Sequence, residues 1–386
     1  MKTPIKLATV AVAAVLLLSG CAASGGSATD KPSDSAVMAK IDAGLAALSS
    51  KVLSKGPNGE EPAPVAAAEL SDAEVTQVKA MKLTAAIAMH YGGNDWSTAQ
   101  IAGLKSEFAR LGIEVVAVTD ANFDAGKQVS DIETIMAKKP NIIVSLPTDP
   151  VATADAFRKA SAGGAHLVFM DNVPKGFVAG KDYVSVVSAD NYGNGVTSAY
   201  LMARSLAGKG KIGLIYHQAD FFVTKQRYEG FKTTIKDNFP DIQIVEEKGI
   251  AGPDFAGDAQ GVANAMLTKH PDLAGIWAVW DVPADGVMAA ARSAGRTDLK
   301  IATEDLGTNA AVALAKNELV VGLGAQRPFD QGVTEARLAA ASYIGKTVPG
   351  YVALASLPVD HSNLLDAWKQ VYHSDAPASV TGVYKK

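Results

Sequence analysis

The sequence predicts an α/β fold of two Rossmann-like lobes, each a parallel sheet covered by helices. Three observations carry this. Short apolar runs of strand length recur from Leu83 onward: 83–89, 113–118, 141–146, 166–170, 183–188, 211–216, 242–247, 273–279, 299–303 and 319–324. Amphipathic stretches of helical length separate most of them, such as 97–112 and 223–239. The chain is also long enough for two domains: 386 residues, 48% hydrophobic and 20% charged, an ordinary globular balance. Continuous apolar strands alternating with helices belong to parallel sheets buried on both faces. Ten strands sit better in two sheets than in one. The expected lobes are 82–189 and 190–326, with 327–352 returning to the first and 353–375 to the second.

The chain opens with Lys2 and Lys6 before an apolar stretch, LATVAVAAVLLL, that ends at Leu18. It is too short to span a bilayer but suits the core of a signal peptide. Leu18-Ser19-Gly20-Cys21 resembles a bacterial lipobox, which implies a signal peptide over 1–20 and a lipid on Cys21. The expected location is the cell envelope, outside the cytoplasm and anchored to a membrane face. Residues 21–81 are expected to be a tether with short helices. AASGGSATDKPSDS is small and polar, 36–53 has helical spacing, and Ser71-Asp72-Ala73-Glu74 matches a capping box for a helix to about Lys79. Whether helix 36–53 docks on the body or on a partner stays open. Further on, Asp149-Pro150 marks a helix start and Gly112 a helix stop.

Charge and motifs narrow the function. The formal net charge is −4, and removal of the leader would take two lysines and no acid. Such a chain has no general attraction for nucleic acid. The one cysteine excludes an internal disulfide and a cysteine-built zinc site. Gly208-Lys209-Gly210-Lys211-Ile212-Gly213 spells GxGxxG but precedes a strand, so it cannot form a strand–turn–helix phosphate cradle. GxSxG, HExxH and Walker A motifs are absent from the sequence, and the six histidines are scattered. His90 and His217 could serve as a base or bind a metal, but no nucleophile or ligand cluster accompanies them. The expectation is a binding protein with no catalytic residues, cofactor or metal.

In open parallel sheets, ligands bind beyond the C-terminal ends of the strands. Those ends carry His90, Asn94 and Trp96; Asp171 and Asn172; Arg227 a little into the helix after the 211–216 strand; Phe255; Trp280 and Asp281; Asp305; and Gln326. Singly, such residues are caps, turns or core; a cap or turn is the preferred reading for Asp149, Asp190 and Asp220, and a core role is the ordinary alternative for Phe221 and Phe222. As a set they would line one cleft where two lobes meet. Carboxylates, amides and an arginine match vicinal hydroxyls, and indole or phenyl faces match the C–H face of a sugar. The mixture suits a small, neutral, polyhydroxylated ligand.

Over roughly 83–350 the chain resembles the periplasmic sugar-binding proteins of the ribose-binding type, soluble receptors of ABC importers. The motifs are LPTDP (146–150), FMDN (169–172), SADNYGNG (188–195), RYEGF (227–231), KHPDLAGIWAVWD (269–281) and GAQRPFDQG (324–332). The resemblance implies two lobes joined by three crossing segments that close on a sugar by hinge motion. It also implies a monomer that presents its ligand to an ABC permease. Its site pattern falls on His90, Asn94, Trp96, Asp171, Asn172, Arg227, Phe255, Asp305 and Gln326. Three positions depart from a ribose binder: Asn172 replaces an arginine, Trp280 an asparagine, and His90 a small hydroxyl residue. The departures point away from ribose itself, and Trp280 favours a pentose, a tetrose or a short polyol. The rival function is a lipid-anchored sensor that shows its sugar-bound form to a signalling receptor.

Overall fold

The computed structural model describes residues 34–48 and 50–385. The expected signal peptide and Cys21 lie outside the described residues. Two helices, α1 (Asp34–Leu48) and α2 (Asp72–Met81), precede the first sheet. That sheet is built from β1 (Thr84–Met89), β2 (Glu114–Asp120), β3 (Ile142–Ser145), β4 (His166–Met170) and β5 (Ser185–Ala189). Helices α3 (Asp95–Arg110), α4 (Ala125–Ala137) and α5 (Ala154–Ala162) connect the first four strands.

Helix α6 (Asn191–Ser205) leads into the second sheet: β6 (Gly210–His217), β7 (Ile242–Ile250), β8 (Leu273–Ala278), β9 (Lys300–Glu304) and β10 (Val320–Ala325). Its connecting helices are α7 (Phe222–Asn238), α8 (Phe255–Lys269), α9 (Asp281–Ser293) and α10 (Thr308–Ala315). The chain then forms α11 (Pro328–Tyr343), β11 (Tyr351–Leu354), β12 (Leu357–Val359) and α12 (Leu364–Tyr372).

The sheets repeat one topology. Their orders are β11-β5-β4-β3-β1-β2 and β12-β10-β9-β8-β6-β7. All pairings are parallel except β12 against β10. The central strands are buried on both faces, so their side chains read as unbroken apolar runs. The chain passes between the sheets after β5, after β10 and between β11 and β12. Residues 353–354 belong to β11 of the first sheet, whereas the sequence assigned them to the second lobe.

Local chemistry sets the element ends. Ser71 and Glu74 form the capping box of α2, as its sequence predicts. Gly112 follows α3 with φ +67°, a conformation that costs glycine little. Asp190 caps α6 through the Gly193 N–H. Asp149 instead accepts from Val151 and Ala152 and stabilises a turn, so α5 begins later than the Asp149-Pro150 signal suggests.

Residues 34–81, read from sequence as tether and local helices, are packed along both lobes. The predicted 36–53 helix ends at Leu48, and it docks on the body: Ile41 and Leu45 join the core of the second lobe. Ser54 then meets the hinge, where its N–H and hydroxyl both donate to Asp190 at 2.8 Å. Ala63 bridges to Val352 at the edge of the first sheet.

Candidate functional site

The strand ends of the two sheets face each other across a cleft of about 550 Å³, including its part open to solvent. Of the residues singled out by sequence, nine line it: His90, Asn94, Trp96, Asp171, Arg227, Trp280, Asp281, Asp305 and Gln326. Two do not. Asn172 is buried and turns its amide to the Pro147 carbonyl. Asp171 has φ +52°, and this turn sends adjacent side chains to different places. Phe255 stands behind the wall, its ring 4.9 Å from Trp280 and 5.5 Å from His217, and faces an adjoining groove.

Arg227 is held by helix packing. Gly195 of α6 and Gly230 of α7 lie so close to the opposite backbone that a Cβ at either would meet a carbonyl oxygen at 2.1 or 2.3 Å. Only glycine permits this approach. It brings Arg227, one turn before Gly230, against Asn191 at the start of α6. The Arg227 Nε–H donates to Asn191 Oδ1 at 3.0 Å, and Nη1 pairs with Asp305 Oδ2 at 2.9 Å. Gln326 Nε2 donates to Asp305 Oδ1 at 2.9 Å. Asn191 Nδ2 also reaches Asp171 Oδ1, at 3.4 Å, and the Ser188 hydroxyl donates to that oxygen at 2.6 Å. One buried network thus runs from Asp171 of the first lobe to Gln326 at the second crossing.

A family model described as periplasmic binding protein domain matches residues 85–347. The chain belongs to this family. The ribose import binding protein of Bacillus subtilis is 26% identical over 227 residues, 58% of this chain and 70% of the relative. That of Escherichia coli is 24% identical over 262 residues, 67% and 82% respectively. Among solved structures, an ABC transporter solute binding protein from Mycobacterium smegmatis with bound glycerol shares 27% identity. It superposes with a TM-score of 0.67, covering 77% of this chain and 99% of that one. An ABC sugar transporter subunit from Rhodobacter sphaeroides, also 27% identical, gives 0.63 over 72% and 98%. The fold predicted from sequence is the fold of this family.

For a periplasmic binding protein, the electrostatics of the cleft matter as much as its shape. Burial pushes the Asp171 carboxyl up to about 6, against the hydrogen bond from Ser188 and the attraction of Arg227. Burial also raises Asp281 well above the usual carboxylate range, helped by Asp305, Asp285 and Asp95 nearby. The same desolvation lowers His90 to about 3 and His217 to about 4. Both imidazoles are therefore neutral at pH 7, each with one donor and one acceptor. Among the described residues, no group of histidines, cysteines and carboxylates has the arrangement of a metal site. No described helix is long and apolar enough to cross a membrane. Family membership implies an extracytoplasmic setting and a solute-binding, non-enzymatic role.

Sequence reasoning missed several wall residues of this periplasmic binding protein: Tyr91, Phe123, Leu146, Phe221, Val223 and Thr224. It left His217 out of the ligand-binding set, though it placed that residue after a strand end and within reach of the cleft as a candidate base or metal ligand, and His217 lines the cleft. Phe221 and Val223 begin α7 in the second lobe but pack with Leu146 and Met170 of the first. The lobes touch elsewhere too. The Asp95 carboxylate, at the start of α3, accepts from the Thr308 N–H at the start of α10 at 2.6 Å.

Proposed function

We propose that this protein binds a small neutral sugar or sugar alcohol between its lobes and delivers it to an ABC transporter permease. One observation carries the reading. A single cleft joins a carboxylate–guanidinium–amide network to indole and imidazole rings. Vicinal hydroxyls can exchange hydrogen bonds with Asp171, Arg227 and Gln326, while Trp96 and Trp280 offer faces to C–H groups. Printed names of relatives support it: ribose, D-apiose and D-ribose/D-allose binding proteins match this chain. The solved structures with bound allitol or D-allose share its fold.

Trp280 and His90, which line the cleft, distinguish it from a ribose site, so the ligand is a different pentose, a tetrose or a short polyol. A thermal-shift screen over pentoses, hexoses, tetritols and pentitols tests the reading. A hit should also change Trp96 and Trp280 fluorescence. A complete absence of carbohydrate hits, with unchanged fluorescence, defeats it.

The mature protein starts at a lipid-modified Cys21 and works as a monomer at the extracytoplasmic face of a membrane. Mass spectrometry of the native N-terminus, showing a diacylglyceryl cysteine or an unmodified chain, decides the anchor.

A further inference from the structure

One side chain of the first lobe sits among rings of the second. Phe123, in the loop between β2 and α4, packs against the apolar cluster of the second lobe and also against one built mainly by the first. Centre to centre, its ring lies 4.9 Å from His90 and 5.0 Å from Tyr91 of its own lobe. It lies 5.4 Å from Phe255, 6.2 Å from Phe221 and 6.4 Å from His217 of the other. The backbone pays an unusual conformation for this placement. Asn122 and Phe123 have φ of +50° and +59°, a left-handed pair without glycine and rare for a bulky residue. Three bonds hold the pair. The Phe123 N–H donates to the His90 carbonyl at 2.7 Å, the Asn122 N–H to the Asp120 carboxylate at 2.8 Å, and the Asp124 N–H to the Ala121 carbonyl at 2.9 Å. Such conformations persist where the surroundings over-determine them, and they gather at ligand clamps.

What the ring divides gives it a role. The cleft adjoins a groove of about 1580 Å³, including its part open to solvent, lined by loops of both lobes. Phe123, His217 and Phe221 line both spaces, so these three side chains form the boundary between them. Phe123 is the first lobe's share of that boundary. Beyond it the groove has room for more ligand, and Asn122, Asp149 and Asp220 would offer polar partners there. The rings, and not a lack of space, confine what the cleft can hold.

We propose that Phe123 sets the size of the ligand: its ring closes the cleft against the groove and limits the site to a single unsubstituted sugar or polyol unit. A derivative is rejected when its substituent must pass between Phe123 and the rings of the second lobe. This rests on the carbohydrate reading above and names the residue that bounds it. The ring meets His217, Phe221 and Phe255 only when the lobes are together, so it also favours the closed state.

The test compares the full mature chain with Phe123→Ala and Phe123→Leu by calorimetry. The probes are aldopentoses, tetritols and pentitols, each beside its mono-O-methyl derivatives, one for every hydroxyl. In the wild type, derivatives methylated toward the groove should bind at least about tenfold more weakly than their parents. Phe123→Ala should restore binding at one position, shrinking that penalty at least about tenfold, and leave the other penalties in place. Phe123→Leu, a smaller cut, should shrink the same penalty about threefold, and it decides the matter if the alanine variant fails to fold. Dissociation of the parent, followed by tryptophan fluorescence, should quicken in both variants while association does not slow. Penalties that stay unchanged, or that relax at every position alike as general loosening would give, overturn the proposal and leave carbohydrate binding intact. A panel without any binding overturns both.

Discussion

The two lobes place an aspartate at the same point, immediately after the fourth strand, and use it differently. Asp171 follows β4 with φ +52° and Asp305 follows β9 with φ +65°. Asp305 is locked by a guanidinium and an amide of its own half of the cleft. Asp171 has a hydroxyl and a distant amide, and burial holds its carboxyl near 6. The second lobe is therefore assembled before a ligand arrives. The first lobe offers a carboxylate that a ligand completes. This suggests an order of events, in which the ligand settles on the second lobe and the first closes over it.

The strongest way to break the comparison is to remove the organiser. Arg227→Ala leaves Asp305 buried without its cation and Asn191 without its donor. Losing one partner of a buried pair costs about 3–5 kcal/mol of stability. Ligand affinity should fall by at least about 30-fold, from a loss of ~2 kcal/mol or more. Asp171→Asn should behave otherwise, weakening the ligand but sparing the fold. Urea titration and calorimetry of both variants check this. Equal loss of stability in the two would erase the asymmetry.

Each lobe also buries a glutamate behind the cleft. Glu304 meets the Ser198 hydroxyl and the Trp277 indole N–H, and burial pushes it up to about 8. Glu335, on α11, takes both its bonds from Gln100 and is raised well above the usual range by burial. Folded Glu304 keeps its proton where the unfolded chain, with an ordinary value near 4.5, has released it. The stability this gives is complete below about 4.5 and is lost as pH rises through about 8. The wild-type unfolding free energy from urea titration should fall between pH 5 and 9, by an amount on the order of a few kcal/mol. Glu304→Gln should flatten much of that fall, and an unchanged slope would assign it to other groups.

The fold was legible because period and punctuation agreed across the chain: buried strands kept unbroken apolar runs, and helices kept their caps. The short strands β11 and β12 escaped because residues 351–359 give only a few residues per strand, with Ser356 and Pro358 between and within them. At the site, Asp171, Arg227, Asp305 and Gln326 could be found because they follow strand ends or a familiar motif. Phe123 and Phe221 could not, since what makes them wall residues is contact with the opposite lobe, and nothing local encodes it. Asn191 was hidden for another reason. Beside the capping Asp190 it reads as an ordinary helix start, yet it joins Asp171 to Arg227.

A milder probe returns to Asp171. At pH 7 it is mostly ionised and accepts hydrogen bonds from ligand hydroxyls. Below about 6 it holds a proton and loses much of that capacity. Ligand affinity should therefore drop about tenfold between pH 7 and pH 5, and Asp171→Asn should remove the dependence. A pH-independent affinity in the wild type would mean that Asp171 does not meet the ligand as a carboxylate.

The smallest effect concerns how the lobes hold each other. Asp95 reaches from the first lobe to the N–H of Thr308, at the positive end of α10. That bond exists only when the lobes are together, so it biases the ligand-free protein toward closure and raises apparent affinity by increasing the competent fraction. Two acids oppose it: Asp281 and Asp285 are both held above their ordinary values in part by the charge on Asp95. Geometry and charge therefore pull in opposite directions, and two variants separate them. Asp95→Ala removes the acceptor and should weaken binding about threefold to tenfold, mainly through faster dissociation. Asp95→Asn keeps an acceptor oxygen, discards the repulsion, and should bind at least as tightly as the wild type. If both variants weaken binding equally, the charge of Asp95 and not its bond geometry holds the lobes together. The closed state would then be favoured by the dipole of α10 acting across the cleft.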